Sequence, residues 1–433
     1  MTPELVGGVG VLALLILILA RVPVAIAMGL VAFCGYIAID GWTRATLVLG
    51  ALPQELTNGY SLSVVPLFVL MGEFANASGL SRDLYRSANL LFRGYRGSLS
   101  LATVGACAGF GAVCGSSLAT AATMGRVAIP QMREAGYAPG LASGTVAAGG
   151  TLGILIPPSV ILLIYAAIAR ESVPQLFAAA IIPGVLLTVF YALVVMVLIA
   201  TVKGIVPKEG AAERWQGWRE LSALWEVAIL FGGSVGGIYL GWFSPTEAAA
   251  VGAFLALLLG VLRRRLDRAK ILASIRNATQ TTAMLFFIIL ATFMFSFFVV
   301  QTRLPLAFAG WVTDLNLGPF GVILILTLFY IVMGCFLDGI GIILITTPLF
   351  APLVLASGFD MIWFGIYLVL IVELGLITPP VGMNLYVIAE QMPDVSMRVV
   401  FTGVLPFIAA QLALIGLIAV FPELVSWLPG LLY

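Results

Sequence analysis

Long apolar runs alternate with short polar breaks along this chain, and the runs set the expected elements. A membrane-crossing helix needs about 20 apolar residues. Runs of that kind fall at 5–20, 23–39, 62–78, 139–169, 173–202, 223–241, 245–262, 278–300, 361–389 and 398–428. Two more, 98–132 and 318–356, are interrupted at their midpoints by Gly115-Ser116-Ser117 and by Asp338-Gly339-Ile340-Gly341. Each predicts a re-entrant helical hairpin that enters and leaves on one side. Two of the spans carry Pro-Pro in their middle, in GTLGILIPPS (Pro157, Pro158) and GLITPPVGMN (Pro379, Pro380), at matching places of the two halves of the chain. The expected fold is an all-α polytopic membrane protein with two re-entrant hairpins and two Pro-Pro-broken helices. Its halves form an inverted repeat, roughly 1–205 and 222–433.

The charges orient this arrangement. Cytoplasmic segments of a membrane protein collect Lys and Arg. Opening the first hairpin to the cytoplasm and the second to the periplasm places 18 of the 21 basic residues inside and leaves Arg44, Arg170 and Arg303 outside. Both termini are then periplasmic. The polar stretch Lys203 to Glu220 becomes a cytoplasmic linker. Two basic stretches, 81–97 and 263–276, precede the hairpins and predict amphipathic arms along the inner surface, with a solvated loop as the alternative.

Composition narrows the chemistry. The chain is 61% hydrophobic and 9% charged with a net charge of +1, where soluble domains carry about 25% charge. That balance offers no nucleic-acid surface. There is no histidine, which removes Ser-His and Cys-His nucleophiles and histidine metal sites. Cys34, Cys107, Cys114 and Cys335 stand in apolar or glycine-rich runs without CxxC spacing. No P-loop occurs, so no ATP-binding motif is present. Gly232-Gly233-Ser234-Val235-Gly236 matches the form of a nucleophile elbow but lacks a histidine partner. Close helix packing is the expected use of its small residues. An intramembrane hydrolase would need an aspartyl pair or a Ser-Lys dyad, and the sequence offers neither in facing spans. The amino-terminal MTPELVGG has no basic region of the kind that opens a cleaved signal, so the first apolar run is expected to stay as a helix.

The broken helices carry the candidate site. Backbone groups in lipid must be paired, so irregular backbone at membrane depth survives only in protein or beside a wet cavity. Proline removes an N–H and clashes with the carbonyl four residues back. Freed carbonyls are hard ligands suited to Na+, and half-helix N-termini suit an anion. Paired broken helices in two inverted halves point to a transporter's midplane site. The residues expected to hold Na+ are Gly115, Ser116, Gly150, Thr151, Gly153, Pro157, Gly339, Gly341, Thr378, Pro379, Gly382 and Asn384. The substrate set is Ser116, Ser117, Thr120, Asp338, Thr346 and Thr347, with Arg303 as an anion-attracting or headgroup-pairing residue. Glu73 and Glu373 lie within spans, as proton relays or as carboxylates bonded between helices. Glu247, in Ser244-Pro245-Thr246-Glu247, has the spacing of a capping box.

At these residues the chain is similar to a known family. FGAVCGSSLATAATMGRVAIPQM, GTLGILIPPS, FSPTEAAAVGA, FLDGIGIILITTPLFAPL and GLITPPVGMNLYVI resemble, in order over nearly the whole chain, the large membrane subunit of tripartite ATP-independent periplasmic (TRAP) transporters. The resemblance implies an ion-transporter fold working as an elevator, with transport units 98–169 and 318–389 moving against scaffold helices. It implies Na+-driven uptake of an organic carboxylate, such as a C4-dicarboxylate, across the bacterial inner membrane. It also implies two partners, a small four-helix membrane subunit as a separate chain and a periplasmic substrate-binding protein, and no organic cofactor. Some members carry Ser where Cys114 stands and Asp where Thr120 stands, so the first hairpin's polar set is leaner here. Two alternatives stay open. One is a stand-alone Na+- or H+-coupled divalent-anion symporter of the same fold. The other is a permease that carries protons on Glu73 or Glu373.

Overall fold

The computed structural model describes residues 2–58, 60–207, 222–315, 317–334, 337, 339–380 and 382–433. Asp338, Cys335 and most of the expected linker lie outside these. Among the described residues all regular structure is helical. The first half runs α1 (Pro3–Leu19), α2 (Val24–Asn58), α3 (Val64–Ala77), α4 (Leu80–Leu91), α5 (Ser98–Cys114), α6 (Ser117–Glu134), α7 (Pro139–Leu155), α8 (Val160–Ala169) and α9 (Val173–Thr201). The second half opens with α10 (Ser222–Phe231), a π-helical turn at Gly232–Gly236, α11 (Gly237–Tyr239), α12 (Pro245–Leu262), α13 (Arg268–Gln301) and α14 (Leu304–Asp314). It closes with α15 (Gly318–Gly334), α16 (Gly339–Ala356), α17 (Met361–Ile377), α18 (Met383–Glu390), α19 (Met397–Val420) and α20 (Glu423–Leu432). Among the described residues six helices are each long and apolar enough to cross a membrane, or eight if each bent pair is one span.

Two helical hairpins, α5–α6 and α15–α16, occupy the interrupted runs. The first turns at Gly115, whose φ of +64° is left-handed and suits glycine. Two broken helices, α7–α8 and α17–α18, follow the hairpins. Their breaks hold the cis bonds Pro157-Pro158 and Pro379-Pro380. Every residue from Leu141 to Leu155 and from Trp363 to Ile377 is buried. A helix buried on all sides belongs in a core, and α7 and α17 are the most fully buried stretches of it.

Each hairpin crosses its broken helix at a glycine pair. A Cβ on Gly111 would stand 2.4 Å from the Gly153 Cα, and one on Gly375 would stand 2.6 Å from the Gly334 Cα. Gly153 and Gly375 are as far apart in the sequence as Pro158 and Pro380, so the two crossings occupy one position of the repeat. The backbones touch because neither residue has a side chain, as in other close membrane crossings.

Several boundaries differ from expectation. The stretch expected as the first arm, 81–97, holds a helix at Leu80–Leu91, bent by 68° from α3. It buries Leu80, Leu84, Tyr85 and Ala88, the spacing of one helical face. The stretch 263–276 is not a second arm. Arg268 opens a continuous helix to Gln301, capped by Asp267, whose Oδ1 accepts from Lys270 N at 2.8 Å. The offset that carries Pro158 onto Pro380 carries α4 onto α14, so α14 is the arm's counterpart. Its sequence carries no basic run of the kind that marked the first arm. The expected span 23–39 runs on to Asn58 past a kink at Gly41, where φ is +81°. The expected final span 398–428 is two helices, parted at Phe421-Pro422, where proline cannot continue the α19 hydrogen-bond ladder.

Polar contacts fix the surfaces. Ser244 and Glu247 form the capping box, with Ser244 N donating to Glu247 Oε2 at 2.8 Å. Ser234 is buried and donates to Leu230 O within its own helix, a packing role and not a nucleophile's. Asp83 on α4 pairs with Arg263 and Arg265, and Arg263 pairs with Glu226 on α10 while stacking 5.4 Å over Trp225. Arg133 at the end of α6 grips Asp394 with two hydrogen bonds of 2.7 and 2.6 Å. That bidentate bond to the Arg133 guanidinium holds the Asp394 carboxyl below its usual range. A lowered folded-state pKa gives stability that is present at neutral pH and is lost as pH falls through the folded value. Asp394→Asn should therefore lower the thermal midpoint slightly at neutral pH. The difference should begin to shrink below about pH 4, vanish once pH falls through the lowered folded value, and shrink in high salt, as scans at neutral and strongly acidic pH would record.

Candidate functional site

Four helices begin at one cavity of about 350 Å³. Ser117, Leu118 and Ala119 open α6, Val160 and Ile161 open α8, Gly339 and Ile340 open α16, and Met383 opens α18; all eight line the cavity. Each N-terminus carries roughly half a positive charge from its unpaired N–H groups. Two are capped by serines, one at the first hairpin tip and one at the first break: Ser116 Oγ accepts from Ala119 N at 3.4 Å and Ser159 Oγ from Leu162 N at 3.3 Å. The far wall is α3, with Val69, Gly72, Glu73 and Asn76, and α13, with Thr281, Met284 and Leu285. No Lys or Arg lines the cavity among the described residues. An anion here meets backbone dipoles, with no guanidinium to grip it.

Backbone carbonyls at the breaks lie close to residues that line the cavity. A Cβ on Gly115 would stand 2.9 Å from Pro158 O, so the first hairpin tip lies against the first break's backbone. At the second break, Gly382 takes φ +44°, and its Cβ position looks onto Thr378 O at 3.1 Å and Leu376 O at 3.2 Å. These oxygens suit a hard cation.

The expected residues divide by place. Gly115, Ser116, Ser117 and Gly339 line the cavity. Pro157, Thr378, Pro379 and Gly382 sit at the breaks themselves; Thr378 Oγ1 donates back to Leu374 O at 2.6 Å. Asn384 is buried one residue into α18 and donates from Nδ2 to Ser117 Oγ at 2.9 Å and Ala147 O at 3.5 Å. Gly150 and Gly153 pack the first hairpin's return arm onto α7. Their Cβ positions meet Ser117 O at 3.2 Å and Thr120 Oγ1 at 2.5 Å. Thr120 is buried behind the tip.

Other members of the set lie away from the cavity lining. Thr151 turns toward α9 and meets Tyr191 Oη at 3.0 Å, and Tyr191 donates to Gln411 at 2.7 Å. Gly341 is buried in α16, and Thr346 and Thr347 are buried deeper in that helix. Thr346 donates to Ile342 O at 2.7 Å and accepts from Tyr330, and Thr347 donates to Ile343 O at 2.6 Å. Arg303 is exposed beyond the end of α13, about 24 Å along that helix from the cavity at 1.5 Å per residue.

Sequence reasoning placed Glu73 within a span but did not bring it to the site. It lines the cavity and accepts from Asn277 Nδ2 at 3.3 Å. Asn76 lines it too and accepts from Thr123 of α6 at 3.5 Å. Their signal was a polar pair three residues apart inside an apolar run. The wall made by α3 and α13 takes shape only through long-range packing.

Comparison with known proteins agrees with this architecture. The family model described as tripartite ATP-independent periplasmic transporter, DctM component, matches residues 11–424. The chain is 36% identical over 382 residues to the C4-dicarboxylate TRAP transporter large permease protein DctM of Pseudomonas aeruginosa, covering 87% of this chain and 88% of that one. It is 32% identical to the sialic acid TRAP transporter large permease protein SiaM of Vibrio cholerae, covering 96% of each. Among solved structures it is similar in fold to the Alcanivorax borkumensis YdaH transporter, with a TM-score of 0.62 at 15% identity over 89% of each chain.

Proposed function

The chain belongs to the tripartite ATP-independent periplasmic transporters as their large permease, the DctM component, and from that premise we propose that it carries an organic carboxylate inward with Na+. It is a multi-pass membrane transporter subunit and not an enzyme. The convergence of four helix N-termini on one cavity without Lys or Arg among its described lining residues carries the proposal. Such a cavity binds an anion by dipoles and leaves its remaining charge to be balanced by a cation. A bare carboxylate at membrane depth is costly. Na+ on the break carbonyls at Pro158 and Leu376 offsets that cost beside the anion.

Uptake then follows an elevator cycle. Hairpins and broken helices form the moving unit, and α3 and α13 belong to the scaffold. A periplasmic binding protein delivers the carboxylate and a small membrane subunit widens the scaffold. The membrane is the bacterial inner membrane, with both termini periplasmic. The two relatives above are named for a C4-dicarboxylate and for sialic acid, both carboxylates, which supports the class.

Reconstitution tests this. Proteoliposomes containing the chain with its small subunit, supplied with the binding protein and labelled succinate or sialic acid, should accumulate label under an inward Na+ gradient. A K+ or choline gradient should give none. Equal uptake in all three salts would overturn Na+ coupling. Ser116→Ala should reduce uptake several-fold by removing the α6 cap and a cavity hydroxyl.

A further inference from the structure

Resting on the Na+ reading above, we infer that Glu373, Ser117 and Asn384 form a further monovalent-cation site behind the first hairpin tip, distinct from the carbonyl positions at the breaks. Glu373 lies in α17, 1% exposed, and neither carboxylate oxygen has a hydrogen-bond partner. Asn384 is 0% exposed, and its Oδ1 has none either. The two side chains meet at Ser117. Asn384 Nδ2 donates to Ser117 Oγ, and the same hydroxyl stands beside the Glu373 carboxyl without ideal hydrogen-bond geometry.

The unpaired atoms here are all acceptors. Asn384 spends its donor hydrogens on Ser117 Oγ and Ala147 O, which leaves Oδ1 facing no donor. Tyr191 and Gln411, two polar groups beside this part of α17, are committed: Tyr191 donates to Gln411 Oε1, and Gln411 Nε2 to Leu370 O. No Lys or Arg pairs with Glu373 among the described residues. Buried acceptors without donors are costly, and a cation is the partner that satisfies several at once. A carboxylate, an amide oxygen and a hydroxyl form a hard oxygen set suited to Na+.

Position within the repeat supports the assignment. Glu373 is the second-half counterpart of Thr151, by the offset that relates Pro380 to Pro158. Thr151 fills its place with a hydroxyl bonded to Ala148 O and Tyr191. The second repeat puts a carboxylate there and leaves it unpartnered. One half therefore carries a charge-bearing position that its counterpart lacks. Its hydroxyl, Ser117, is the first residue of α6 and lines the cavity, so a cation on Glu373 is joined through one side chain to whatever the cavity holds.

The test is thermal unfolding of the purified full chain as Na+ replaces choline at constant ionic strength, at one acidic and one alkaline pH. In choline at the alkaline pH, Glu373→Gln should melt above the native protein, because the bare carboxylate is gone. With rising Na+ the gap should close, and the dependence of the midpoint on the logarithm of Na+ concentration should correspond to about one ion fewer in the variant. Ser117→Ala keeps the carboxylate and should need several-fold more Na+ for the same rise, which tests the site if the glutamine variant does not fold. An identical Na+ response in all three proteins overturns the site and leaves Na+ coupling standing. A gap that follows pH and ignores Na+ also overturns it and makes Glu373 a proton carrier. Absence of any Na+ response in every protein defeats both the site and the Na+-driven reading.

Discussion

Replacing Gly375 by valine is expected to disable the second half of the core and abolish uptake. The Cβ alone would stand 2.6 Å from Gly334 Cα, with further backbone atoms at 3.0 and 3.2 Å. Backbone cannot rotate aside as a side chain can. Either α15 moves outward, separating the hairpin from its broken helix, or α17 loses the line of its break. Overpacking a well-packed core costs about 1–3 kcal/mol, and a bulky residue against backbone belongs at the upper end. Gly416→Ala is the control, since nothing lies within 4 Å of its Cβ position. There the thermal midpoint should hold or rise, because alanine is the better helix former. Midpoint and initial uptake rate, measured on both variants, separate a crossing effect from a general dislike of side chains at glycine.

Asn384→Leu is the second large effect. Asn384 joins α18 to the α6 tip through Ser117 and to α7 through Ala147 O. Leucine has nearly the same length and deletes both bonds, leaving buried Ser117 Oγ without its donor. An unmet buried acceptor costs about 1–3 kcal/mol, and 1.4 kcal/mol is about tenfold in an equilibrium constant. Initial uptake should fall by about tenfold or more at limiting substrate, with helix content unchanged by circular dichroism. Asn384→Gln should not restore it, because the longer side chain moves the amide away from Ser117.

The elements that repeat were legible in the sequence. Pro157-Pro158 and Pro379-Pro380 announced two breaks, and the Gly-Ser-Ser and Asp-Gly interruptions announced two hairpin tips, because proline and glycine act through the local backbone. Gly115, Ser116, Ser117 and Gly339 reached the cavity for the same reason. The α3 side of the cavity was hidden. Glu73 and Asn76 become site residues only once α3 lies against the α6 tip, and long-range packing leaves no periodic mark. Thr346 and Thr347 looked like ligands by closeness in sequence to the second tip, but helical geometry carries them into α16, where they bond back to their own turn. The second arm was misplaced because charge does not mark the element: α14 is the counterpart of α4 in the repeat and lacks its basic residues.

Transport by an elevator requires the hairpin and broken-helix unit to move against the scaffold with its cargo. Asn76 on α3 and Thr123 on α6 touch across that boundary at 3.5 Å. With the native cysteines replaced, Asn76→Cys and Thr123→Cys can be joined by a short reducible crosslinker and uptake measured in proteoliposomes. Crosslinking should stop uptake and a reductant should restore it, while either single variant transports throughout. Full uptake by the crosslinked protein would contradict the moving unit, because substrate would then be crossing without that unit leaving the scaffold.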